Sequence, residues 1–216
     1  NNYNLVLRQR NEFLKIININ KESDMSYLDI LDDKYISLSI DIYNYRRKYV
    51  NLVNKYIGDI FYSITGLEGL KMVYTSNVSN LDNNLFKDKL KSNLSREIQY
   101  KITFIGPNRD DFYFDLNGKN LSLYGSQGQI RSAVLALKLA EVKLFTDVLS
   151  DTPILLLDDI FSELDIDKRN KVIKYLDNDI QTIVTTTDIE NIDKNVRNKA
   201  NVYRIENGKI ISREII

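Results

Sequence analysis

Ile154-Leu155-Leu156-Leu157-Asp158-Asp159 places four aliphatic side chains directly before two carboxylates. Uninterrupted apolar runs of this length are typical of strands buried in parallel sheets. In sheets that handle phosphates, one acid at the end of such a strand holds Mg²⁺ and the next orients the attacking water. We therefore predict that Asp158 is a metal ligand and that Asp159 is a catalytic residue in part of an ATP site.

The residues just downstream, Ser162-Glu163-Leu164-Asp165, bear on this interpretation. Two acids after a run of aliphatics can also be a plain exit from a strand into a loop. A further hydroxyl and two more acids, so close behind Asp158 and Asp159, favour a functional site over that alternative.

A second candidate segment, Ser126-Gln127-Gly128-Gln129, opens a predicted long helix that runs to Val148. Free N–H groups and partial positive charge at a helix N-terminus attract phosphate. Ser126 adds a hydroxyl donor, and Gly128 lets the backbone approach a ligand closely. The alternative is a helix that Ser126 simply caps. The acids downstream favour phosphate binding.

The chain lacks the loop that cradles phosphates in most nucleotide-binding sheets. That P-loop requires Gly-x-x-x-x-Gly-Lys followed by Ser or Thr. The Gly-Lys steps here, Gly118-Lys119 and Gly208-Lys209, have no glycine at the required offset and are followed by Asn120 and Ile210. We expect either that the loop lies in sequence preceding Asn1 or that the chain is a nucleotide-free relative of such proteins.

Composition restricts the chemistry further. With 0 Cys and 0 His, thiolate zinc sites, disulfides and histidine-based catalysis are excluded. No apolar run of membrane-spanning length and no charged-then-apolar leader occurs, so we expect no membrane partner and a cytoplasmic location. The 30 basic and 30 acidic residues balance, so a nucleic-acid partner would need a local patch. The candidates for that patch are Lys87, Lys89, Lys91 and Arg96, which a solvated helix face explains equally well.

The first third of the chain is predicted to be a helical arm, residues 1–66. Apolar residues recur in steps of three and four, which is a heptad seam. That seam comprises Leu28, Leu31, Tyr35, Leu38, Ile42, Tyr45, Tyr49, Leu52 and Tyr56. A shorter helix around Tyr3 to Ile17 precedes it, and we expect the two to pair antiparallel with 18–24 as the turn. The alternative is an ordinary helical bundle.

Residues 67–216 are predicted to form an α/β lobe. Short β-rich runs dominate its first part, and Asn117-Gly118 is a strong hairpin turn. The predicted strands are Leu70 to Tyr74, Lys101 to Ile105, Phe112 to Leu116, Asn120 to Tyr124, Ile154 to Leu157 and Gln181 to Thr185, followed by a terminal hairpin. Helices are predicted over 83–98 and 168–176. The fold class that follows is the C-terminal half of a nucleotide-binding head, a mixed sheet with helices, plus an antiparallel helical arm.

Taken together, these segments resemble the RecF family of recombination mediators, in the ABC-type ATPase superfamily that includes the SMC proteins. Two stretches resemble family motifs: Leu7-Arg8-Gln9-Arg10-Asn11-Glu12-Phe13-Leu14-Lys15 and Gly106-Pro107-Asn108-Arg109-Asp110-Asp111. On this resemblance Ser126 to Gln129 is the ABC signature, Ile154 to Asp159 is Walker B, and Ser162 to Asp165 is the D-loop. The order and spacing of the segments match from about Leu5 to Lys209.

The chain departs from the family pattern in three ways. The N-terminal part with the P-loop and Q-loop is absent, and Asn108 replaces the usual histidine of its motif. In the segment Gln181 to Thr187, a threonine, assigned to Thr187, occupies the place where ABC transporters keep a switch histidine. A hydroxyl there is expected to contact the γ-phosphate.

The resemblance implies a mechanism for the full-length protein. Two subunits would sandwich ATP and Mg²⁺ head to tail, with Asp158 of one subunit facing Ser126 to Gln129 of the other. Binding would close this homodimer on DNA at gaps or junctions, and slow hydrolysis would release it, helping RecO and RecR to load recombinase in DNA repair and recombination. This chain alone is expected to be inactive.

Three other classes compete with this interpretation. An ABC transporter domain shares the signature and the paired acids, but the arm, the Gly106 to Asp111 motif and the missing switch histidine argue against it. An SMC-like head that tethers DNA would need a longer arm than this seam provides. A nucleotide-free interaction module fits the absent P-loop and conflicts with the presence of Asp158, Asp159 and Ser126.

Overall fold

The computed structural model describes residues 2–20, 25–80, 82–149, 152–159, 164, 166–175, 180–187, 189, 197–198 and 200–215. Its helices are α1 (Asn2–Ile19), α2 (Met25–Val53), α3 (Ile57–Thr65), α4 (Asn83–Tyr100), α5 (Leu121–Tyr124), α6 (Gln127–Leu149) and α7 (Ile166–Tyr175). Its strands are β1 (Leu70–Thr75), β2 (Asp111–Leu116), β3 (Lys119–Asn120), β4 (Leu155–Asp158), β5 (Thr182–Thr185), β6 (Asn201–Glu206) and β7 (Lys209–Ile215). No helix among these described residues is both long and apolar enough to span a membrane.

Helices α1 and α2 pair antiparallel, as the sequence predicts. Tyr3 stacks on Tyr35 with ring centroids 5.5 Å apart, and Phe13 meets Tyr27 edge-on at 5.0 Å. Contact partners thus run in opposite directions along the two helices. The predicted turn over 18–24 agrees with helix ends at Ile19 and Met25, although residues 21–24 lie outside the described residues.

The predicted heptad seam holds only in its first half. Leu28, Leu31 and Tyr35 are buried, whereas Tyr45 is 75% exposed. The helix itself ends at Val53, and a turn over 54–56 precedes α3. The later seam members Ile42, Tyr49, Leu52 and Tyr56 are half-buried. A straight helix drifts relative to a strict heptad, so these residues lie nearer the edge of the packed face.

The described chain divides into two compact units. Unit 1 comprises residues 1–52 and 72–113, and unit 2 comprises residues 53–71 and 114–216. The helical pair α1 and α2 therefore shares its unit with α4 and the Gly106 to Asp111 motif, while α3 belongs with α6 and the later strands. The division of the chain at residue 66 stays a prediction about the organisation of the whole protein.

Unit 1 is built around an apolar core between α1, α2 and α4. Helix α4 begins where the Asp82 side chain accepts the backbone N–H of Leu85, which confirms the predicted helix. It ends at Lys101, which adopts a left-handed φ of 60°. The core residues are Tyr3, Val6, Tyr35, Ile36, Val78, Phe86, Leu90 and Ile105.

Two predicted strands are wrong, and both for the same reason. Residues 101–105 form no strand, because side chains satisfy their backbone donors: Asn11 accepts from the N–H of Thr103, and Glu97 accepts from that of Phe104. Asn120 closes a two-residue strand and caps the short helix α5 by accepting from the N–H of Ser122. The hairpin turn between β2 and β3 is as predicted, with φ of 52° at Asn117 and 81° at Gly118.

Unit 2 carries the predicted parallel strand pair. Strands β4 and β5 run in register from Leu155 opposite Thr182 to Asp158 opposite Thr185. Leu155 and Leu157 are buried while Leu156 is 68% exposed, so the described chain buries one face of the strand and not two as the apolar run predicts. The predicted terminal hairpin forms as β6 and β7, antiparallel and joined at 207–208.

Candidate functional site

One hydroxyl joins the two carboxylate residues at the end of β4. Thr185 lies opposite Asp158 in the neighbouring strand, and its Oγ1 donates a hydrogen bond of 2.5 Å to Oδ1 of Asp158. The same Oγ1 accepts the backbone N–H of Asp159 at 3.0 Å. Asp159 turns out of the strand with a left-handed φ of 48°. Thr185 therefore orients the Asp158 carboxylate and holds the backbone of Asp159 where the chain leaves the strand.

The donor atoms at this edge suit Mg²⁺. Asp158 and Asp159 are both exposed, and carboxylate and hydroxyl oxygens are the hard ligands that Mg²⁺ accepts. Among the described residues no group of three or more His, Cys, Asp or Glu could hold a metal ion. That is compatible with Mg²⁺, which is usually held by one or two carboxylates together with substrate phosphates and water.

The segment Ser126 to Gln129 forms a reciprocal capping box at the start of α6. Gln129 Oε1 accepts the N–H of Ser126 at 2.9 Å, and Ser126 Oγ accepts the N–H of Gln129 at 3.2 Å. Ser126 and Gln127 are exposed, and Nζ of Lys168 lies 4.0 Å from the position that a Cβ on Gly128 would occupy. The cap anchors the helix end, while the N–H groups of Gln127 and Gly128 have no acceptor inside the helix because they belong to its first turn.

The remaining predicted nucleotide-site residues are described only in part. Ser162, Glu163 and Asp165 of the predicted D-loop lie outside the described residues, while Leu164 is buried and its carbonyl accepts from Arg169 at 2.8 Å. Thr187, the predicted switch residue, lies in an exposed bend two residues beyond the end of β5.

Sequence reasoning missed Thr185. It lies inside the segment predicted to carry the switch residue, so its residue type was visible but its role was not. The signal is strand register: the last residue of β5 falls opposite the first acid that ends β4. That pairing follows from aligning the two strands and not from either strand alone.

The four predicted DNA-binding residues lie on α4 but do not form one open patch. Nζ of Lys87 pairs with Asp33 at 2.7 Å, and Nζ of Lys89 donates to the carbonyl of Asn77 at 2.6 Å. Lys91 and Arg96 are exposed. Of the four residues, Lys91 and Arg96 are exposed and have no ion pair or hydrogen bond of this kind among the described contacts.

The Gly106 to Asp111 motif is held by side chains of α1 and α2. Asn108, at the position of the usual histidine, accepts from the hydroxyls of Tyr3 at 3.2 Å and Tyr35 at 3.0 Å, and donates to the carbonyl of Thr103 at 3.1 Å. The other anchor is Asp110, whose carboxylate accepts from Arg46 at 3.1 Å and from the hydroxyl of Tyr74. Burial raises the pKa of Tyr35 far above its ordinary range, so this hydroxyl stays a donor.

Beside this motif lies a buried charge network centred on Arg10. Its guanidinium is fully buried and donates to Asp32 at 2.7 Å, to Glu97 at 2.7 Å and to Thr103 at 2.8 Å. Burial disfavours the Arg10 charge, but Asp32 and Glu97 outweigh it and raise the pKa of Arg10. Burial also raises the pKa of Asp32, which the Arg10 charge only partly opposes. Sequence reasoning missed this network, although an arginine within the apolar stripe of α1 was its signal.

The parallel strand pair that ends in two acids and the helix that opens on a Ser-Gln-Gly-Gln capping box fit the fold of an ABC-type ATPase head. Comparison with known proteins agrees. The chain is 39% identical over 213 residues to the DNA replication and repair protein RecF of Lachnospira eligens and 40% identical over 213 residues to that of Clostridium perfringens. These matches cover 98% and 96% of the chain. The chain is thus similar to a portion of these RecF proteins.

Solved structures give the same likeness. The chain matches the recombination mediator protein RecF of the RecFOR pathway, as RecF-ATPrS and as RecF-ATP, each with a TM-score of 0.80. Identity is 28% and 27%, and 96% and 99% of the chain is covered. The chain spans 58% of the Lachnospira relative and 56% of the RecF-ATPrS chain. No protein-family model matches the chain.

Proposed function

We propose that this chain is the signature and Walker B half of an ATP-dependent DNA repair protein. The observation that carries the proposal is the Thr185 hydroxyl, which joins Asp158 and Asp159 at the end of a parallel strand. The relatives' names support the DNA repair role, and the RecF-ATP match supports the nucleotide. The P-loop is inferred to lie in the part of the relatives' length that this chain does not span.

In this proposal each half of the site comes from a different subunit of a homodimer. Asp158 is the ligand for Mg²⁺, which neutralises phosphate charge when bound. Asp159 orients and deprotonates the attacking water. The first-turn N–H groups of α6, with Ser126, bind the terminal phosphate of the ATP held by the partner subunit. The Gly128 backbone permits that close approach.

The partners follow from the family and belong to the same proposal. ATP closes the dimer on DNA at gaps or strand junctions in the cytoplasm, and slow hydrolysis opens it. Through the RecFOR pathway named for the solved relatives, RecO and RecR would act with it in loading recombinase. Because the charges of the chain balance, closure has to bring weak patches together, so duplex binding is expected to need ATP.

Two variants of the intact protein test the site. Asp159→Asn should keep ATP binding and slow hydrolysis by about 10²- to 10⁴-fold, because the amide cannot act as a base. Ser126→Arg should keep ATP binding and block ATP-dependent dimerisation, because it places bulk and charge at the partner's phosphate. Phosphate release, calorimetry and light scattering measure the three quantities.

The control is Asp167→Asn, an exposed acid in the first turn of α7. It should hydrolyse ATP and dimerise like the parent. Parental hydrolysis in both Asp159→Asn and Ser126→Arg would overturn the proposal and favour the nucleotide-free interaction module.

A further inference from the structure

In unit 1 the exposed residues Arg96, Tyr100 and Arg109 surround the half-buried ring of Phe104, and we name these four residues the cation–aromatic cluster. The guanidinium carbon of Arg96 lies 4.6 Å from the ring centroid of Phe104 and 6.0 Å from that of Tyr100. The guanidinium carbon of Arg109 lies 5.3 Å from the Phe104 centroid. The Tyr100 and Phe104 rings meet edge-on at 5.7 Å. Both cations therefore share one ring, with a second ring beside it.

The charge of this cluster is not neutralised within the part of the chain that the structure describes. No ion pair among those residues involves Arg96 or Arg109. The adjacent acids are used elsewhere: Glu97 binds Arg10 and Asp110 binds Arg46. Two guanidinium groups are thus held on the surface without a carboxylate, which is the arrangement that an anionic ligand completes.

Backbone hydrogen bonds also hold two members of the cluster, Phe104 and Arg109, in place. The backbone N–H of Phe104 donates to Glu97 at 2.7 Å, and Glu97 is fixed by the buried Arg10. On the other side, the N–H of Arg109 donates to the carbonyl of Gly106 at 3.0 Å, inside the motif that Asn108 locks to α1 and α2. Preorganised groups lose less entropy on binding, so this support favours a ligand site over a casual surface contact.

We propose that the cation–aromatic cluster binds single-stranded nucleic acid. Guanidinium groups match phosphate in charge and in donor geometry, so Arg96 and Arg109 contact phosphates of neighbouring nucleotides. Tyr100 is 57% exposed, and its ring offers a face on which an unpaired base stacks. A duplex already stacks its bases on each other, so it gains less from this ring. The inference rests on the proposed function only in taking DNA as the partner, and it needs no ATP.

The experiment measures binding of a fluorescein-labelled dT20 oligonucleotide to the intact protein by anisotropy, without nucleotide and at several salt concentrations. The double variant Arg96→Ala/Arg109→Ala should bind at least tenfold more weakly. Losing two phosphate contacts should lower the slope of log Kobs against log salt by about 1.4, at roughly 0.7 per contact on single strands. Replacing both arginines by lysine should retain the slope, which separates lost charge from lost fold.

The aromatic contribution is tested separately. Tyr100→Ala should weaken dT20 binding about fivefold or more, whereas Tyr100→Phe should bind like the parent because stacking needs the ring and not the hydroxyl. An oligonucleotide of abasic sites should bind the parent and Tyr100→Ala equally. The control is Arg204→Ala, since Arg204 already pairs with Glu206 at 2.9 Å and lies in unit 2. It should match the parent in affinity and slope.

Several results would overturn the inference. A parental salt slope in the double alanine variant would rule out the proposed phosphate contacts. Parental affinity in Tyr100→Ala would rule out the proposed base stacking. Competition by poly-glutamate as strong as by unlabelled dT20 would assign the cluster to an acidic protein partner, and equal competition by duplex would remove the strand preference. A failure of the proposed ATPase appears instead in hydrolysis by Asp159→Asn and leaves these nucleotide-free measurements unchanged.

Discussion

Two polar clusters of this chain differ in burial: the Arg10 network lies inside unit 1, and the Asp158/Asp159 edge lies at the surface of unit 2. The Arg10 network in unit 1 is buried, and each of its charges meets an opposite charge or a neutral hydrogen-bonding group. The carboxylate edge in unit 2 is exposed, and the Thr185 hydroxyl bonds both the Asp158 carboxylate and the backbone N–H of Asp159. The buried cluster fixes backbone positions, whereas the exposed one presents carboxylate groups at the surface. The contrast teaches that buried, paired charges support the fold, and that exposed, oriented carboxylates mark a candidate site.

The largest expected effect is loss of the buried cation. Arg10→Ala leaves Glu97 and Asp32 buried without their partner, so we expect the free energy of unfolding to fall by about 3–5 kcal/mol. Urea denaturation measures it. The control is Lys15→Ala, which removes an exposed ion pair with Glu12 and should cost under about 1 kcal/mol. Equal losses in the two variants would abolish the distinction between the clusters.

The second largest effect is expected from adding a side chain at Gly106, next to the Arg10 network. Gly106 has a φ of 133°, and a Cβ there would lie 1.9 Å from the hydroxyl oxygen of Tyr35. We expect Gly106→Ala to destabilise the protein by about 2–4 kcal/mol, from backbone strain and the clash. Gly118→Ala also has a positive φ, of 81°, but nothing within 4 Å, so it should cost only about 1 kcal/mol.

In thermal unfolding the same pair separates the clash from the strain. Gly106→Ala should cost less in a Tyr35→Phe background than in the parent, because the atom nearest to the added Cβ is then absent. If Gly106→Ala and Gly118→Ala have the same midpoint temperature of unfolding, the Gly106 to Asp111 motif is held less tightly than its contacts indicate.

At the exposed cluster a smaller, functional effect is expected. Thr185→Val keeps the shape of the side chain and removes the hydroxyl, so the intact protein should hydrolyse ATP about tenfold more slowly with little change in stability. Thr185→Ser should restore the rate, and ATP affinity should stay parental in both. Thr182→Val is the matched control, because Thr182 lies on the same strand and bonds only the carbonyl of Ile180 in the described contacts. Equal rates in Thr185→Val and Thr182→Val would make Thr185 purely structural.

The smallest effect is a pH dependence in unit 1. Burial, helped by the hydrogen bond to Asp110, raises the pKa of Tyr74 from 10.0 to about 12. The folded state therefore holds this proton more tightly than the unfolded chain, so the contribution is complete below pH 10 and is lost as the pH rises through 12.

Tyr74→Phe should accordingly be less stable than the parent by up to about 1 kcal/mol at pH 8, and the difference should shrink between pH 10 and 12. Urea denaturation across this range measures it. The exposed Tyr45 provides the control: Tyr45→Phe should be about as stable as the parent at pH 8. A difference between Tyr74→Phe and the parent that stays constant with pH would contradict the assignment.

Local patterns predicted much of the fold. The apolar run before Asp158, the helix that opens at Ser126 and the Asn117-Gly118 turn are signals within a few residues, and each produced the predicted element. The predicted strand over 101–105 failed because its partners come from far along the chain, with Asn11 supplying an acceptor 92 residues away. No local periodicity reports such a partner.

The candidate site divides in the same way. Asp158, Asp159 and Ser126 were predicted by type and position, and their roles stay proposals. The part that sequence could not supply was geometry: which threonine reaches the carboxylates depends on strand register, and register is set by the pairing of β4 with β5. The cation–aromatic cluster depends likewise on how Arg109 and α4 come together.

The backbone at Asp159 limits what can replace it. At a left-handed φ of 48°, asparagine and glycine fit with little strain, while alanine and especially β-branched residues do not. An alanine scan would therefore confuse a lost carboxylate with a shifted loop at this position. Asparagine cannot act as a base and adopts this φ with little strain. Few other substitutions at Asp159 would therefore test the carboxylate alone.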